Sequence, residues 1–223
     1  NQTINAIRPA DSAGLLDQAR HRIDFKTKPL GSLGRMEETA VRLCLMQQKL
    51  TPAIPRRSLV VFAGDHGVAR EGVSAFPAEV TPQMVHNFLN GGAARNVLCR
   101  QQGSRIRVAD MGVDADFPDH PDLIKAKVRK GTRNFLKEPA LTSAEAVQAL
   151  ENGIAVFEKH VLADQPDIVA VGEMGIGNTT PASAIIASLC GAAPASVTGR
   201  GTGVDDKGLA HKIAVIEQAL ALH

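Results

Sequence analysis

The fold is decided by residues 168–181, which read IVAVGEMGIGNTTP. The apolar run from Ile168 to Val171 predicts a buried strand, and the Thr180-Pro181 pair predicts the start of a helix. Glycines in the turn between them let the backbone approach a ligand closely, and the first amides of the helix point outward with partial positive charge. This order indicates a parallel α/β sheet with an anion site at the carboxyl end of the strand.

The preceding part of the chain repeats this alternation of strand and helix. Short apolar runs at residues 59–63 and 106–109 predict two further buried strands, and residues 195–198 predict a weaker one. Such alternation favours a mostly parallel, Rossmann-like sheet with helices on both faces. We therefore expect residues 56–223 to form a parallel α/β nucleotide-binding domain.

Helical patterns fill the gaps between these strands. Thr81-Pro82 predicts the cap and first residue of one helix, and residues 93–102 predict another. A third begins at the capping box formed by Thr142 and Glu145. The apolar face of this third helix comprises Val147, Leu150, Ile154, Phe157 and Val161.

Two helices are predicted before the first strand. Asp11 or Ser12 caps the first, residues 28–31 (KPLG) interrupt the pattern, and Ser32 caps the second. We therefore expect residues 1–55 to be a helical segment that forms part of a small helical domain.

The composition excludes several classes of function. The 223 residues are 44% apolar and 22% charged, as in ordinary globular proteins, and their net charge of +2 indicates no nucleic-acid footprint. Seven Phe, without Tyr or Trp, leave little for base stacking or a membrane-interface belt. No apolar run reaches the length of about 20 residues that a membrane span needs. The N-terminal residues lack the apolar block of a secretion signal, so we expect a cytoplasmic protein.

Cys44, Cys99 and Cys190 lie far apart, each in an apolar or helical run. Their odd number and the absence of a CxxC pair indicate reduced thiols rather than disulfides or a redox motif. We therefore expect buried thiols, and a thiol nucleophile is the less favoured alternative.

The turn within residues 172–181 carries side chains suited to a phosphorylated sugar. Glu173 offers a carboxylate to a ribose diol or a developing cation, and Thr179 and Thr180 add hydroxyl donors. The plain alternative is a tight turn before a capped helix. The dinucleotide fingerprint is incomplete, because its third glycine is missing and residues 196–198 offer no acidic side chain. A P-loop sequence is also absent.

A second glycine-rich turn, residues 198–206, precedes the last helix. It completes a phosphate cage if Lys207 or Lys212 supplies the charge; the alternative is a flexible connection with two solvated lysines. We interpret Asp205 and Asp206 as helix caps rather than metal ligands, because they follow the turn.

Residues 64–67 (GDHG) end the first strand, where an active-site loop is expected to begin. An Asp-His pair can bind a metal ion, but no second His-Asp cluster completes such a site, so we expect no metal. Residues 130–134 (KGTRN) are equally well interpreted as an anion loop or as an ordinary turn.

Together these motifs resemble the nicotinate-nucleotide–dimethylbenzimidazole phosphoribosyltransferase family of cobalamin lower-ligand synthesis. The match runs through nearly the whole chain in order, and residues 172–180 carry its most specific motif. The other matching motifs are residues 28–34 (KPLGSLG), 64–67 (GDHG), 76–84 (FPAEVTPQM), 87–88 (NF), 91–92 (GG), 110–114 (DMGVD) and 131–134 (GTRN).

The resemblance implies transfer of a phosphoribosyl group from nicotinate mononucleotide to dimethylbenzimidazole, which gives α-ribazole phosphate and nicotinate. The donor already carries a cationic leaving group and a phosphate monoester, so no pyrophosphate has to be neutralised and no metal or cofactor is implied. The implied partners are these small substrates and a second copy of the chain, because the family is typically homodimeric.

The resemblance also implies the site residues. Glu173 is the catalytic carboxylate that contacts the ribosyl group. The phosphoribosyl-binding set is Gly175, Asn178, Thr179, Thr180 and Lys212. The base-binding set is Phe76, Gln83 and Met84, together with Asp65.

The last helical pattern runs through Leu222 and stops at His223 without a breaker. Members of the resembled family are longer, and their general base lies in that additional part. We therefore expect residues 1–223 to be C-terminally incomplete and to turn over poorly, since losing a general base costs about a hundred- to ten-thousandfold in rate. The alternatives are a non-catalytic nucleotide-binding domain and a dinucleotide-dependent oxidoreductase, which the incomplete fingerprint disfavours.

Overall fold

The structure is a computed structural model that describes residues 5–7, 10 and 13–223. The chain divides into two compact units, between Pro55 and Arg56. Among the described residues, none of the helices combines the length and apolar character that a membrane crossing requires.

From residue 13 onward, where the description is continuous, the first unit contains α1 (Ala13–Asp24) and α2 (Arg35–Gln47). The predicted cap of α1, at Asp11 or Ser12, lies outside the described residues.

The predicted cap of α2 at Ser32 is wrong, because the helix begins later, with Gly34 as its N-cap. No side chain caps α2, and a carboxylate in its first turn instead holds the residues just before the helix. Glu37 Oε1 accepts the backbone N–H of Leu33 at 3.0 Å and forms an ion pair with Lys28 Nζ at 2.8 Å. The acidic side chain therefore organises this turn, and the Ser32 hydroxyl is not needed.

The second unit is built on a four-stranded sheet in which every pairing is parallel. Its strand order is β3-β2-β1-β4. The strands are β1 (Arg57–Gly64), β2 (Arg105–Gly112), β3 (Leu123–Lys125) and β4 (Ile168–Met174). All three strands predicted from apolar runs are confirmed, whereas the short β3 was not predicted. The predicted burial of the third strand is wrong, because Ile168 of β4 is 44% exposed and Val171 is 74% exposed.

Six helices connect or follow these strands. They are α3 (Val80–Leu89), α4 (Ala94–Gln102), α5 (Ser143–Val156), α6 (Thr179–Cys190), α7 (Pro194–Val197) and α8 (Asp206–Leu222). A 3₁₀ turn at Gly67–Glu71 follows β1, and a π turn at Phe157–Val161 extends α5.

The core lies on both faces of the sheet because side chains alternate along each strand. Val61 of β1 packs on one face in a cluster with Val85 and Phe88 of α3. Its neighbour Val60 packs on the opposite face in a cluster with Val156 of α5. The predicted α/β sheet with helices on both faces is therefore confirmed.

The capping box at the start of α5 is confirmed. Glu145 N–H donates to Thr142 Oγ1 at 3.2 Å, and Thr142 N–H donates to Glu145 Oε2 at 2.8 Å. The apolar face predicted for this helix is mostly not core, because a different side, which includes Val156, packs on the sheet. Val161 is buried, but the following are between 40% and 71% exposed: Val147, Leu150, Ile154 and Phe157.

The weak strand predicted at residues 195–198 is wrong, because this segment contains the single helical turn α7. Pro194 starts the turn with a preset φ angle. Hydroxyls then bond back along it: Ser196 Oγ donates to Ala193 O, and Thr198 Oγ1 donates to Pro194 O, both at 2.7 Å. These local bonds satisfy the backbone without a neighbouring strand.

The prediction of buried thiols is correct for Cys44 and Cys99, and wrong for Cys190. Cys190 is the last residue of α6, directly before the left-handed Gly191, where the end of the helix is exposed. Its apolar sequence neighbours, including Leu189 at 81% exposure, are exposed with it.

Candidate functional site

The adjacent strands β1 and β4 bring the predicted site segments together. In the sheet register Phe62 pairs with Glu173. Residues 64–67 and 172–181 therefore leave the sheet at the same edge, at the carboxyl ends of parallel strands. This edge is where parallel α/β sheets bind their ligands.

The larger of two cavities at this edge has a volume of about 360 Å³. Glu173, Asn178 and Thr179, all predicted site residues, line it together with His66. The rest of its lining is backbone and apolar: Phe62, Ala63, Gly64, Met111, Met174 and Ala182. The cavity therefore combines an apolar interior with a few polar groups, as small-molecule sites commonly do.

Gly175 brings the glycine-rich turn into contact with the end of β1. A Cβ atom at this position would lie 2.2 Å from Gly64 O and 3.0 Å from His66 Nε2, so only glycine fits without a shift of the backbone. Gly177 has a φ of +82°, in the left-handed region that glycine adopts without strain. Both glycines are thus required by the shape of the turn.

Thr81 holds this turn from α3. The backbone N–H of Ile176 donates to the fully buried Thr81 Oγ1 at 3.0 Å. The predicted capping role of Thr81 is wrong, since α3 begins at Val80 with Glu79 as N-cap and the hydroxyl is used elsewhere. Helix α6 begins at Thr179, one residue before its predicted start.

Lys212 reaches from α8 to the start of α6. It is 1% exposed, and its Nζ donates to Thr179 Oγ1 and, at 3.2 Å, to Gly199 O. Burial lowers the pKa of Lys212 from its ordinary value. A Cβ atom at Gly201 would lie 2.8 Å from Thr179 Oγ1 and 3.2 Å from Lys212 Nζ. The two glycine-rich turns therefore meet at one buried amine, an arrangement suited to an anion.

Asp205 is the predicted cap of the helix that carries Lys212. Its Oδ1 accepts the backbone N–H of Gly208 at 2.8 Å, which confirms the capping role. Asp206 instead forms an ion pair with Arg200. Within the described part of the chain, no three His, Cys, Asp or Glu side chains come together as they would around a metal ion.

Asp65 lies in a second cavity of about 220 Å³, which Arg70, Asp114 and Lys130 also line. Its Oδ2 accepts the backbone N–H of Asp114 at 2.8 Å, while Oδ1 is buried without a hydrogen-bond partner among the described residues. Burial raises the pKa of Asp65. The carboxyl group is therefore separated from the cavity of Glu173.

The D65N substitution should stabilise the chain increasingly as the pH rises. A raised pKa means that the folded state holds the Asp65 proton more tightly than the unfolded state does. In the unsubstituted chain, the stability that goes with this proton is fully present below the ordinary pKa of 3.8 and is lost as the pH rises through the raised, folded-state pKa. Asparagine carries no such proton, so D65N does not lose this stability. Urea unfolding of both chains between about pH 4 and pH 8 measures the difference in their free energies of unfolding. Because Lys130 lowers the pKa of Asp116, D116N should show the opposite slope. If D65N were less stable than the unsubstituted chain, by an amount that grows with pH, this account would be contradicted.

Besides Gly175 and Lys212, whose contacts are described above, four predicted site residues line neither cavity. Phe76 is 51% exposed, and Gln83 is exposed on α3. Met84 is partly buried against the core cluster of β1 and α3. Thr180 is fully buried, and its hydroxyl has no partner within the part of the chain that the structure describes. Their assigned contacts with the base or the phosphoribosyl group stay predictions.

Residues 130–134 form a packed turn rather than an open loop. Thr132 N–H donates to Asp65 O at 3.0 Å, and Thr132 Oγ1 accepts the backbone N–H of Gly67 at 3.1 Å. Lys130 Nζ pairs with Asp116 at 2.5 Å. The contacts favour the interpretation as an ordinary turn.

Sequence reasoning missed His66 as a member of the site. Its imidazole lines both cavities, and burial lowers its pKa to about 4, so the ring is uncharged at neutral pH. Its position directly after the first strand was the available signal. Met111 of β2 stands in the matching motif at residues 110–114, but its place in the lining beside Glu173 depends on how the strands pair.

The chain is similar in sequence to known proteins over its whole length. A family model described as phosphoribosyltransferase matches residues 7–223. The nicotinate-nucleotide–dimethylbenzimidazole phosphoribosyltransferase of Chloroflexus aggregans is 53% identical over 222 residues, and that of Geobacter metallireducens is 54% identical over the same length. Each match covers 100% of this chain and 62% of the relative, so the chain spans about three fifths of the length of these relatives.

A solved structure shares the fold. The crystal structure of CobT from Thermus thermophilus superposes with a TM-score of 0.88 at 47% sequence identity. The match covers 94% of this chain and 63% of that chain. The architecture described above is thus also found in an experimental structure.

Proposed function

The chain belongs to the phosphoribosyltransferase family, and from that premise we propose that it transfers the phosphoribosyl group of nicotinate mononucleotide to dimethylbenzimidazole, in assembly of the cobalamin nucleotide loop. The names of its relatives support the two substrates. One observation carries the proposal. The glycine-rich turn after β4 has Glu173 at one end and the Lys212–Thr179 contact at the other, beside an apolar cavity.

The donor phosphate binds, in this proposal, where the two glycine-rich turns meet. Lys212 and the Thr179 hydroxyl donate to it, together with backbone amides at the start of α6. The negative charge of the bound anion favours the ammonium form of this amine, against the effect of burial. The phosphate anchors the ribose so that its anomeric carbon lies in the larger cavity, beside Glu173.

The transfer step needs little covalent help from the protein. The acceptor nitrogen attacks the anomeric carbon from the face opposite nicotinate, and the new C–N bond forms with inversion as the old one breaks. The electron pair of the broken bond returns to the pyridinium nitrogen, which leaves as neutral pyridine nitrogen in nicotinate. The acceptor N–H proton passes to a carboxylate base.

Glu173 stabilises the transition state electrostatically. Positive charge develops on the ribosyl ring as the bond to nicotinate lengthens, and a nearby carboxylate in an apolar cavity interacts strongly with it. The apolar lining, including Phe62 and Met111, excludes water that would otherwise hydrolyse the donor.

Two further properties belong to the same proposal. The resemblance implies a homodimer, and the pattern of reduced cysteines favours a cytoplasmic location. Sedimentation velocity over a range of concentrations would test the first: a single species of monomer mass throughout would contradict it for this chain.

The experiment that tests the function compares the unsubstituted chain with E173Q and an exposed control, E151Q on α5. Calorimetry measures binding of nicotinate mononucleotide, and mass spectrometry measures α-ribazole phosphate and released nicotinate after dimethylbenzimidazole is added. We expect E173Q to lower the rate of product formation by about a hundred- to a thousandfold while donor affinity changes much less. E151Q should match the unsubstituted chain.

The outcomes separate the candidate functions. Equal molar release of nicotinate and α-ribazole phosphate supports the transferase. Donor binding without product, with affinity lost in E173Q, would favour a nucleotide-binding domain. Absence of any donor binding would contradict the proposal.

A further inference from the structure

His66 lies between the two cavities at the end of β1. It follows Asp65 directly, and its ring borders both the cavity of Glu173 and the cavity of Asp65. The ring also touches the glycine-rich turn: its Nε2 and Cδ2 atoms lie 3.0 Å and 3.1 Å from the position of a Cβ on Gly175. A side chain of this size is held there only because Gly175 has none.

The backbone around His66 is fixed by neighbouring hydrogen bonds. His66 O accepts the backbone N–H of Ala69 at 3.0 Å, and Gly67 N–H donates to Thr132 Oγ1 at 3.1 Å. The imidazole itself has no hydrogen bond to any residue that the structure describes. A polar ring held in a fixed place, with its donor and acceptor unused, has the character of a ligand contact.

The charge of the ring suits this cavity. Burial lowers the pKa of His66 to about 4, so the imidazole is neutral at neutral pH and offers one N–H donor and one acceptor nitrogen. A cationic ring would oppose the positive charge that develops on the ribosyl group, whereas a neutral ring does not. The carboxylate of Glu173 lines the same cavity and supplies its negative charge.

Resting on the proposed function, we propose that His66 is a substrate-contacting residue whose imidazole hydrogen-bonds a ribosyl hydroxyl of the donor beside Glu173. The phosphate end of the donor is already served by Lys212 and Thr179. The apolar lining contacts the flat rings of nicotinate and dimethylbenzimidazole. With Thr179 assigned to the phosphate, the polar side chains of the larger cavity that remain for the ribose hydroxyls are His66, Glu173 and Asn178.

The test measures binding of three probes to the unsubstituted chain and to H66F, which keeps a ring but removes both nitrogens. The probes are nicotinate mononucleotide, ribose 5-phosphate and inorganic phosphate. We expect H66F to weaken the first two by about 3- to 10-fold, the loss of one neutral hydrogen bond, and to leave phosphate affinity unchanged. H66Q, which places an amide near the position of Nε2, should recover most of the loss. H160F, at an exposed histidine before β4, is the matched control and should bind all three probes normally.

A second measurement is made on the unsubstituted chain, so its result does not depend on whether H66F folds. ¹⁵N-labelled imidazole signals of the unsubstituted chain, with His66 assigned from the signal missing in H66Q, should shift on addition of ribose 5-phosphate and not of inorganic phosphate. Such a selective shift supports the contact, and an unchanged His66 signal overturns it.

The remaining outcomes distinguish this inference from the function on which it rests. Equal loss of all three probes in H66F would mean that the ring only shapes the turn at Gly175, which contradicts the assignment. Unchanged donor binding in H66F would contradict it as well. If the unsubstituted chain bound ribose 5-phosphate but not nicotinate mononucleotide, the proposed function would fail while the contact of His66 with a ribosyl hydroxyl could still be observed.

Discussion

The K212M substitution is expected to lower affinity for nicotinate mononucleotide by about 10- to 150-fold, as the loss of a charge-assisted hydrogen bond of about 1.5–3 kcal/mol implies. Methionine fills a similar volume but cannot donate to the phosphate or to Thr179. Lys212 is 1% exposed and is the point where both glycine-rich turns converge, so no solvated neighbour replaces it. Calorimetric titration of both chains with the donor measures the effect.

The same substitution should raise the stability of the ligand-free chain. Burial lowers the pKa of Lys212 below its ordinary 10.5, so the folded state disfavours the charged form and the lysine costs stability at neutral pH. That cost falls as the pH rises from the folded pKa toward 10.5, and unfolding midpoints in urea should show the difference between K212M and the unsubstituted chain shrinking over this interval.

K207M is the matched control, because Lys207 lies on the same helix but is exposed. It should change neither donor affinity nor stability by more than about 0.5 kcal/mol. Equal losses of affinity in K207M and K212M would show that the helix contributes only a diffuse charge, and the assigned phosphate site would then be wrong.

The G175A substitution should destabilise the chain by about 1–3 kcal/mol and remove measurable donor binding. The added methyl group would lie 2.2 Å from Gly64 O, which belongs to the end of a central strand and has little room to move. Relief of this overlap has to shift the glycine-rich turn away from β1. That shift also moves the amides at the start of α6 and breaks the arrangement around Thr179.

G153A provides the opposite control within the same unit. A Cβ at Gly153, inside α5, would meet no atom within 4 Å, so alanine should stabilise the helix by about 0.5–1 kcal/mol. Urea unfolding and donor titration of the two variants make the comparison. G175A that bound the donor as well as G153A does would refute the steric account of the turn.

Much of the sheet could be predicted because each of its three main strands contains a run of apolar residues, interrupted in β2 only by Arg107. Residues 59–63, 106–109 and 168–171 are each long enough to be recognised alone. Strand β3 spans only Leu123–Lys125. Its pairing with β2 is a tertiary contact, which no local sequence pattern predicts. At α7 the prediction failed in the opposite way, because a strand was predicted where the structure has a helical turn. There the hydrogen bonds of the hydroxyl groups outweigh the β-propensity of Val197 and Thr198.

The loops of the candidate site could be predicted from the sequence, but its buried side chains could be predicted less well. The glycines and Glu173 stand together in the sequence, so their chemistry could be recognised directly. The residues alone left Lys207 and Lys212 as alternatives, and only the resemblance selected Lys212. Its contact with Thr179 joins two residues that are 33 positions apart in the sequence. His66 was considered only as a metal ligand, because the neutrality of its ring comes from burial, a property of the folded chain and not of the GDHG motif.

The way α8 begins sets a limit on how the gene can vary. Asp205 fixes the first turn of the helix through Gly208 N–H, and a Cβ at Gly208 would lie 2.8 Å from Val204 Cβ, so the start cannot slide. From there each residue rotates the helix by about 100°. One inserted or deleted codon between Asp205 and Lys212 would therefore point the amine away from the anion site. This interval should be free of insertions and deletions in functional relatives, even where single substitutions on its exposed side are common.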